Sequence, residues 1–420
     1  MLFCKFEFLI SLHYIDSSST NFCICSFDTN LCKLSIFFNS CSPPNDLMQC
    51  NYSYVRYATA AYGLAAIQSS ELLNVNGHPI SYGGLGRASE KKRKRKMAKF
   101  LGIEEDDIVD LSKPGGDIDI NPYVLAVDRR KSAIVLTFRG TNAVSGAKVD
   151  LAFYTAPFCD GLAHAGIAQR TEEIWELLQD QVVQLLKDNP GFELIITGHS
   201  LGAGVAALLT LKLKHERILA NIDPELSVRC FAYACPPVYL SGAESELSTA
   251  EAMKSIYAFI YRNDVVPFCS VDSLRRISET INTVNEMTNP VEGFLMAIGR
   301  RDVPPEIIEK MNEIEDSELP YVPGSEKLVI PTPYIMWLRP DAGDKKDENG
   351  QLVFNTMFCR TCTTDGKTGT NDLTLMLADV DMIRDHMNPQ YERALNSIYK
   401  QLMKEEKGDE HCYIFPPSTD

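Results

Sequence analysis

The sequence predicts an α/β fold with a mainly parallel central sheet flanked by helices. Apolar, β-branched segments typical of buried strands occur at 123–128, 133–138, 192–197, 227–234 and 255–262. Segments with apolar residues at helical spacing lie between several of these strands, and this alternation is typical of a parallel sheet covered on both faces. In one place a strand, a sharp turn and a helix follow each other directly, and this segment anchors the prediction.

The turn in that segment is formed by residues 198–202, with the sequence GHSLG. It follows the apolar strand 192–197 and precedes 203–211, which is rich in the helix formers Ala and Leu. The glycines suit a turn in which backbone crowds backbone and a Cβ would clash. Ser200 would then stand at the tip, with the helix N-terminus directed at a developing oxyanion. A chance Gly-Ser turn is the alternative, and the correct flanks on both sides disfavour it.

Composition limits the classes of protein and site that fit. The chain has 420 residues, 45% of them hydrophobic, which suffices for one large domain with appendages or for two domains. The net charge of −15 argues against nucleic acid as the main partner. No apolar run reaches the roughly 18 residues of a transmembrane helix.

The thirteen cysteines do not form a pattern that indicates a disulfide framework or a metal site. Six lie in the first fifty residues and seven are scattered, and the C-x-x-C at 359–362 has no second pair. We therefore expect reduced thiols in an intracellular protein and no zinc or redox site at these cysteines. The serine chemistry predicted below needs no metal and no organic cofactor.

Residues 1–48 differ from the rest, and we expect a poorly ordered N-terminal extension. The first fifteen are apolar, but Lys5 and Glu7 interrupt them, which fits a secretory signal poorly. A signal peptide and an imperfect translation start are the alternatives. Further on, 91–96 is a dense basic run, KKRKRK. It could be a nuclear signal or a contact with anionic lipid, but a solvated helix face is favoured.

We predict one domain over 49–405 and a tail over 406–420. The first helix is expected at 52–69 and an amphipathic helix at 171–187. Residues 271–325 break the alternation, and so long a connection is usually functional or mobile. The elements expected after this insertion are an edge strand at 327–338, placed at the edge because of Pro331 and Pro333, a strand at 353–359 and a helix at 391–403.

The candidates for activating the Ser200 hydroxyl are a histidine and an aspartate that follow it in the sequence. A serine nucleophile needs a base, and the base needs a carboxylate that fixes its tautomer. Of the three later histidines, His386 is the best base, because His215 lies about 22 Å along the following helix and His411 lies in the tail. Asp264 directly follows a predicted strand, at the sheet edge where such sites form. Alone, His386 could be a surface residue and Asp264 a turn former; in this chain order they predict a catalytic triad.

An oxyanion would need two hydrogen-bond donors. The amide of Leu201, directly after the serine, is one candidate. The other is Thr141, which can offer an amide and a hydroxyl in the segment 139–141 at the end of a predicted strand. A simple strand-ending turn is the alternative for that segment.

From about Tyr123 to His386 the sequence resembles the class 3 (fungal-type) lipases of the α/β-hydrolase superfamily. The segments that carry the resemblance are 138–141 (FRGT), 149–151 (VDL), 164–167 (HAGI), 198–204 (GHSLGAG), 262–267 (RNDVVP) and 381–386 (DMIRDH). The resemblance implies an α/β-hydrolase fold with a long insertion before the last strands. It also implies a nucleophile at Ser200, a triad completed by Asp264 and His386, and an oxyanion hole of Thr141 and Leu201. His164 and Gly166 match a segment that is structural in the family.

Within this family, 234–237 (ACPP) and the long insertion look most like the sn-1-specific diacylglycerol lipase branch. The sequence shows no counterpart of the four N-terminal transmembrane helices of the animal enzymes. The resemblance also implies a lid over an apolar acyl cleft. The counterpart of the fungal lid, 142–148, is short and polar, so 271–325 is the better cover, with the apolar cluster Phe294, Leu295, Met296 and Ile298 facing lipid.

The function expected from these features is hydrolysis of an acyl ester of di- or triacylglycerol by a serine lipase, through an acyl-enzyme. The alternatives are a phospholipase A1 or galactolipase, and a non-catalytic lipase-like interaction module, which the intact triad disfavours. The expected partner is a glycerolipid at a membrane or lipid-droplet surface and not nucleic acid; the oligomeric state stays open. We expect a cytoplasmic protein, with peripheral membrane attachment as an option, rather than a secreted one.

Overall fold

The structure is a computed structural model. It describes residues 45–64, 66–67, 89–112, 122–140, 154–242, 247–270, 304–316, 328–340, 345–347, 350–360 and 384–406, with isolated positions at 275, 279, 282–283, 286–288 and 326. The expectations for residues 1–44, for the tail from residue 407, for Thr141 and for the cluster at 294–298 therefore lie outside the described residues.

The described elements follow the predicted alternation of strands and helices. The helices are α1 (Asn45–Ala61), α2 (Glu90–Leu101), α3 (Ala165–Asp188), α4 (Leu201–His215), α5 (Leu247–Met253), α6 (Pro305–Asp316) and α7 (Asn388–Glu406). The strands are β1 (Ile108–Leu111), β2 (Tyr123–Asp128), β3 (Ala133–Phe138), β4 (Thr155–Phe158), β5 (Gly161–His164), β6 (Glu193–His199), β7 (Val228–Tyr233), β8 (Tyr239–Ser241), β9 (Ile256–Tyr261), β10 (Tyr334–Pro340) and β11 (Phe354–Arg360). Short 3-10 turns lie at Glu105–Asp107 and Val266–Phe268.

The central sheet has eight strands in the described part of the chain, in the order β1-β2-β3-β6-β7-β9-β10-β11. The five strands from β3 to β10 run parallel, whereas β1, β2 and β11 pair antiparallel at the two ends. The predicted mainly parallel sheet is therefore confirmed. A second, antiparallel sheet joins β4, β5 and β8.

Helices cover both faces of the central sheet, and each face has its own apolar core. One core contains side chains of α3 and α4, and the other contains side chains of α1, α2 and α7. The helix α4 is buried along most of its length. Its Ala, Gly and Leu residues make the surface of the helix apolar almost all the way round, which is typical of a helix inside the core. Because this buried helix begins directly after Ser200, its packing also fixes the position of the serine.

The structure differs from the sequence prediction at the limits of several elements and in the position of one strand. Helix α1 runs from Asn45 to Ala61, so it begins and ends earlier than the helix predicted at 52–69, and its first turn lies inside the expected extension 1–48. Helix α3 begins at Ala165 and not at 171, because His164 caps it: its Nδ1 accepts a hydrogen bond from the Ile167 amide at 3.4 Å. The edge position predicted from Pro331 and Pro333 is wrong. Strand β10 begins after both prolines, so its amides can pair with β9 on one side and β11 on the other.

A buried polar cluster joins the first and last described helices, which pack on the same face of the sheet. The Thr59 hydroxyl donates to Glu392 Oε2 at 2.8 Å and accepts from Asn388 Nδ2 at 2.6 Å. The Arg56 guanidinium lies 3.8 Å from the other Glu392 oxygen. Because buried polar groups are costly unless paired, these contacts fix how α7 lies against α1.

No helix among the described residues is long and apolar enough to cross a lipid bilayer.

Candidate active site

Ser200 lies at a sharp turn between β6 and α4. Its backbone has φ 60° and ψ −131°, a region that side-chain-bearing residues rarely occupy. The Ser200 amide donates to the Tyr233 carbonyl at 2.9 Å, and the Ser200 carbonyl accepts from the Ala203 amide at 2.8 Å. Neighbouring strand and helix together hold the strained residue in place.

The glycines at 198 and 202 are needed for close approach of backbone atoms, as predicted. A Cβ on Gly198 would lie 2.4 Å from the Gly202 carbonyl oxygen. A Cβ on Gly202 would lie 2.3 Å from the carbonyl oxygen of Phe138, at the end of the neighbouring strand β3. Both distances are far below contact, so this turn cannot accommodate any larger residue at either position.

The structure brings Ser200, His386 and Asp264 together in one chain of hydrogen bonds. His386 Nε2 lies 2.9 Å from Ser200 Oγ, and His386 Nδ1 lies 2.9 Å from Asp264 Oδ1. The serine comes from the start of α4, the aspartate from the loop after β9, and the histidine from just before α7. The Nδ1 proton faces the carboxylate, so Nε2 is free to accept the serine proton.

Asp264 is completely buried and its two oxygens are fully used. Besides His386, Oδ1 accepts from the Val266 amide at 2.9 Å, and Oδ2 accepts from the Tyr391 hydroxyl. Burial and the neighbouring Asp264 raise the pKa of Tyr391 well above its usual value, so this hydroxyl stays protonated and remains a donor. Three donors from three directions fix the orientation of the carboxylate.

His199, directly before Ser200, is buried against His386, with the ring centroids 4.8 Å apart. Complete burial, and then the nearby His386, hold the pKa of His199 well below 6.5, although the His386 backbone partly opposes this. His199 is therefore neutral at physiological pH. Its Nδ1 lies 2.8 Å from the Tyr62 hydroxyl. A neutral His199 places no charge beside His386 that would oppose protonation of that ring.

Of the two predicted oxyanion donors, one lies among the described residues. Leu201 is the first residue of α4, so its amide has no acceptor within the helix and lies directly beside the serine. Thr141 lies outside the described residues, but the preceding Gly140 lies against Ser200: a Cβ on Gly140 would lie 2.7 Å from Ser200 Cβ. The Gly140 amide donates to the Tyr62 hydroxyl at 3.2 Å, which ties this segment to the end of α1.

Sequence reasoning missed three residues of the site: Tyr62, His199 and Tyr391. Tyr62 and Tyr391 resemble ordinary apolar positions of helices, and His199 is only one variable letter of the turn motif. Nothing in the sequence distinguishes them, because their partners lie more than seventy residues away for Tyr62 and more than a hundred for Tyr391.

Other chemistry has few candidates among the described residues. These contain no group of three or more His, Cys, Asp or Glu side chains arranged to hold a metal ion. Burial raises the pKa of Cys230 and of Cys269 to about 12, so both thiols are protonated at neutral pH and are poor nucleophiles.

Replacing His199 by Asn should change the pH dependence of stability. The unfolded chain binds a proton at His199 below about pH 6.5, whereas the folded chain does so only at much lower pH. The stabilising contribution is thus complete above pH 6.5 and is lost as pH falls, by up to about 1.4 kcal/mol per pH unit. Urea unfolding from pH 8 to about pH 5 should show a constant difference between wild type and His199→Asn above pH 6.5 that shrinks below it. Parallel curves throughout would contradict this.

Replacing Tyr391 by Phe should lower the free energy of unfolding by about 1.5–3 kcal/mol, because a buried carboxylate loses a donor. The ring itself stays in place, so little packing is lost. Tyr399→Phe, on the same helix but stacked on Tyr52 at a centroid distance of 5.3 Å, is the matched control and should cost less than about 1 kcal/mol. If urea titrations show equal losses of unfolding free energy in the two variants, the hydrogen bond from the Tyr391 hydroxyl to Asp264 is not important for stability.

Comparisons with known proteins agree with the motifs of this site. A family model described as Lipase (class 3) matches residues 135–273, which include Ser200 and Asp264. The chain is 36% identical over 150 residues to secreted mono- and diacylglycerol lipase A of Penicillium cyclopium, across 34% of this chain and 45% of that protein. It is 27% identical over 256 residues to diacylglycerol lipase-beta of Mus musculus, across 56% of this chain and 36% of that protein.

Among solved structures, a mutant form of MDLA from Penicillium cyclopium aligns over 82% of this chain and 96% of its own, with 19% identity and a TM-score of 0.42. The chain spans less than half the length of the two curated relatives described above. The family match agrees with the parallel sheet and the strand–turn–helix arrangement around Ser200. Residues 135–273, which include the strand–turn–helix segment around Ser200, therefore match the class 3 lipase family.

Proposed function

We propose that the protein is a serine lipase that hydrolyses an acyl ester of a glycerolipid. The observation that carries this proposal is the hydrogen-bonded chain from Ser200 through His386 to Asp264. A hydroxyl 2.9 Å from an imidazole whose other nitrogen faces a buried carboxylate is the arrangement that turns serine into a nucleophile.

In the first half of the proposed reaction, Ser200 Oγ attacks the ester carbonyl while its proton passes to His386 Nε2. Asp264 remains ionised and stabilises the imidazolium. The negative charge that develops on the carbonyl oxygen is held by the Leu201 amide and, as we further propose, by Thr141. Collapse of this intermediate breaks the ester bond, and His386 returns the proton to the departing glyceride oxygen.

In the second half, water replaces the glyceride. His386 takes a proton from the water, whose oxygen attacks the acyl-enzyme, and then returns a proton to Ser200 Oγ as the fatty acid leaves. No step needs a metal or an organic cofactor. The neutral state of His199 favours both halves, because an imidazolium forms at the adjacent His386 each time.

For the substrate we propose di- or triacylglycerol, and we expect diacylglycerol to be preferred. Diacylglycerol is the substrate named in both curated relatives described above. A phospholipase A1 or galactolipase would use the same three residues, so a panel of lipids has to decide between them. A non-catalytic interaction module is disfavoured because the three residues are present and within hydrogen-bonding distance.

The catalytic unit is proposed to extend over 49–405, with 271–325 as a lid-like insertion. Support for the outer limits comes from α1 and α7, which both pack on the central sheet and contact each other. For location we propose the cytoplasm, with peripheral membrane attachment. The relatives do not decide this, since one of them is named as secreted.

Replacing Ser200 by Ala should abolish covalent labelling by a fluorophosphonate and lower kcat on a soluble short-chain ester by at least about a thousandfold. The reason is that the proposed acyl-enzyme can no longer form. Ser241→Ala, in the antiparallel sheet β4-β5-β8, is the control and should label and turn over like wild type. Labelling that persists in Ser200→Ala would reject Ser200 as the nucleophile.

The same protein samples should then be compared on dispersed diacylglycerol, triacylglycerol, phosphatidylcholine and galactolipid. We expect fatty-acid release to be fastest from diacylglycerol and to be absent in Ser200→Ala for every lipid. Faster release from phosphatidylcholine or galactolipid would favour the phospholipase A1 or galactolipase alternative.

A further inference from the structure

We propose that the exposed basic residues in the N-terminal half of α2 bind an anionic lipid surface. This binding turns toward the lipid the side of the sheet at which the parallel strands end and Ser200 lies, which we call the Ser200 edge. This inference rests on the proposed function, because it gives a lipid-hydrolysing enzyme an orientation on the surface that holds its substrate. We call Lys91, Lys92 and Arg95 the basic face of α2.

The helix α2 concentrates positive charge in a strongly acidic protein. Seven of its twelve residues are Lys or Arg and one is acidic, in a chain of net charge −15. Its N-terminus is capped by Ser89, whose side chain accepts from the Lys92 amide at 3.4 Å, and Gly102 closes its C-terminus in the left-handed conformation. The basic run is therefore held in a defined helix.

Packing of the C-terminal half decides which side chains face outward. Met97, Ala98, Phe100 and Leu101 are buried in the apolar core shared with α1 and α7. The residues that share the outward side and are exposed in the first half of the helix are Lys91, Lys92 and Arg95. A fixed set of cations thus points away from the body of the protein.

The members of the basic face are not used to hold the fold. Among the described residues, Lys91, Lys92 and Arg95 make no ion pair and no side-chain hydrogen bond. Their neighbours behave differently: Arg93 donates to the Ser112 carbonyl at 3.3 Å, and Lys94 donates to the Val109 carbonyl at 3.3 Å. Two cations of the run therefore anchor the helix, while the three of the basic face are available to a partner.

The N-terminal half of α2 lies toward the same edge of the sheet as the nucleophile. Arg93 reaches Ser112, which pairs with Tyr123 through a 3.1 Å hydrogen bond from the Ser112 amide. Tyr123 pairs with Phe138 across β2 and β3, and Phe138 pairs with Gly198 in β6. Gly198 is two residues before Ser200, so this part of the helix is level with the turn that carries the nucleophile.

The C-terminal half of α2 lies toward the opposite edge. The Leu101 carbonyl accepts from Arg130 Nη2 at 3.0 Å, and Arg130 belongs to the turn between β2 and β3. That turn leads into Ala133, which pairs with Glu193 at the beginning of β6. The helix therefore runs from the Ser200 edge to the far edge, and its exposed cations are concentrated on the Ser200 side.

An anionic lipid surface fits this arrangement better than nucleic acid. Each Lys or Arg near such a surface strengthens binding roughly fivefold, and the acidic remainder of the chain would be repelled by it. Attraction at one end and repulsion elsewhere orients the protein, with the Ser200 edge nearest the lipid. A lipid substrate must be reached from such a surface, whereas nucleic acid has no role in the proposed reaction.

The test compares two triple variants that lose the same charge. The patch variant is Lys91→Gln, Lys92→Gln and Arg95→Gln. The control variant is Lys187→Gln, Lys214→Gln and Arg217→Gln, at the ends of α3 and α4 near the opposite edge of the sheet. Wild type and both variants are sedimented with phosphatidylcholine vesicles that contain or lack phosphatidylserine, at physiological and at high salt.

We expect wild type to bind phosphatidylserine-containing vesicles at physiological salt and to lose this binding at high salt. The patch variant should bind about tenfold to a hundredfold more weakly, and the control variant should bind within about threefold of wild type. Equal weakening in both variants would overturn the proposal, because net charge alone would explain it. Absence of vesicle binding by wild type, or a patch-dependent affinity for a DNA or RNA fragment without vesicle binding, would overturn it as well.

Hydrolysis of a soluble short-chain ester by the same three samples separates this proposal from the proposed function. Both triple variants should retain wild-type kcat, since none of the six residues takes part in the hydrogen bonds that link Ser200, His386 and Asp264. Loss of vesicle binding with retained hydrolysis would support the docking role. If wild type fails to hydrolyse any ester, the proposed function fails, and vesicle binding still reports on the basic face. Matched melting temperatures of the three samples show that both variants fold.

Discussion

The buried carboxylate of Asp264 is the constraint on which the rest of the site depends. A charge removed completely from water is tolerated only when its oxygens are paired. Here the donors are the imidazole of His386, the hydroxyl of Tyr391 and the amide of Val266. They come from the segment before α7, from α7 itself and from the loop after β9. The need to satisfy one carboxylate therefore helps to position α7, and with it His386, which faces Ser200.

The strain at Ser200 is the second constraint, and close packing on both sides of the turn maintains it. An unfavourable backbone conformation persists only where the surroundings determine it fully. Gly198 and Gly202 let β3, β6 and α4 approach within distances that exclude a Cβ. The helix α4 is itself buried along most of its length, so it cannot shift to relieve the turn. Ser200 is consequently fixed by the packed core.

Local pattern was enough to predict the central part of this fold. The strands β2, β3, β6, β7 and β9 were identified within two residues, because β-branched runs bounded by turn residues carry their own signal. Chain order and sheet position singled out Ser200, Asp264 and His386, and the structure brings these three residues within hydrogen-bonding distance. Tyr62, His199 and Tyr391 could not be found in this way, since their roles depend on distant partners. The edge position of β10 was predicted wrongly because the prolines precede the strand instead of lying in it.

The two ends of the described chain contact different members of the candidate site. At the end of α1, Tyr62 contacts His199 and the Gly140 amide beside the serine; in α7, Tyr391 contacts Asp264. The hydrogen bond from Thr59 to Glu392 ties these two helices together inside the core. If this hydrogen bond were weakened, Tyr62, which contacts the residues beside Ser200, and Tyr391, which contacts Asp264, would both be displaced. The geometry of the site is therefore coupled to the packing of α1 against α7, through residues outside the hydrogen-bonded chain of Ser200, His386 and Asp264.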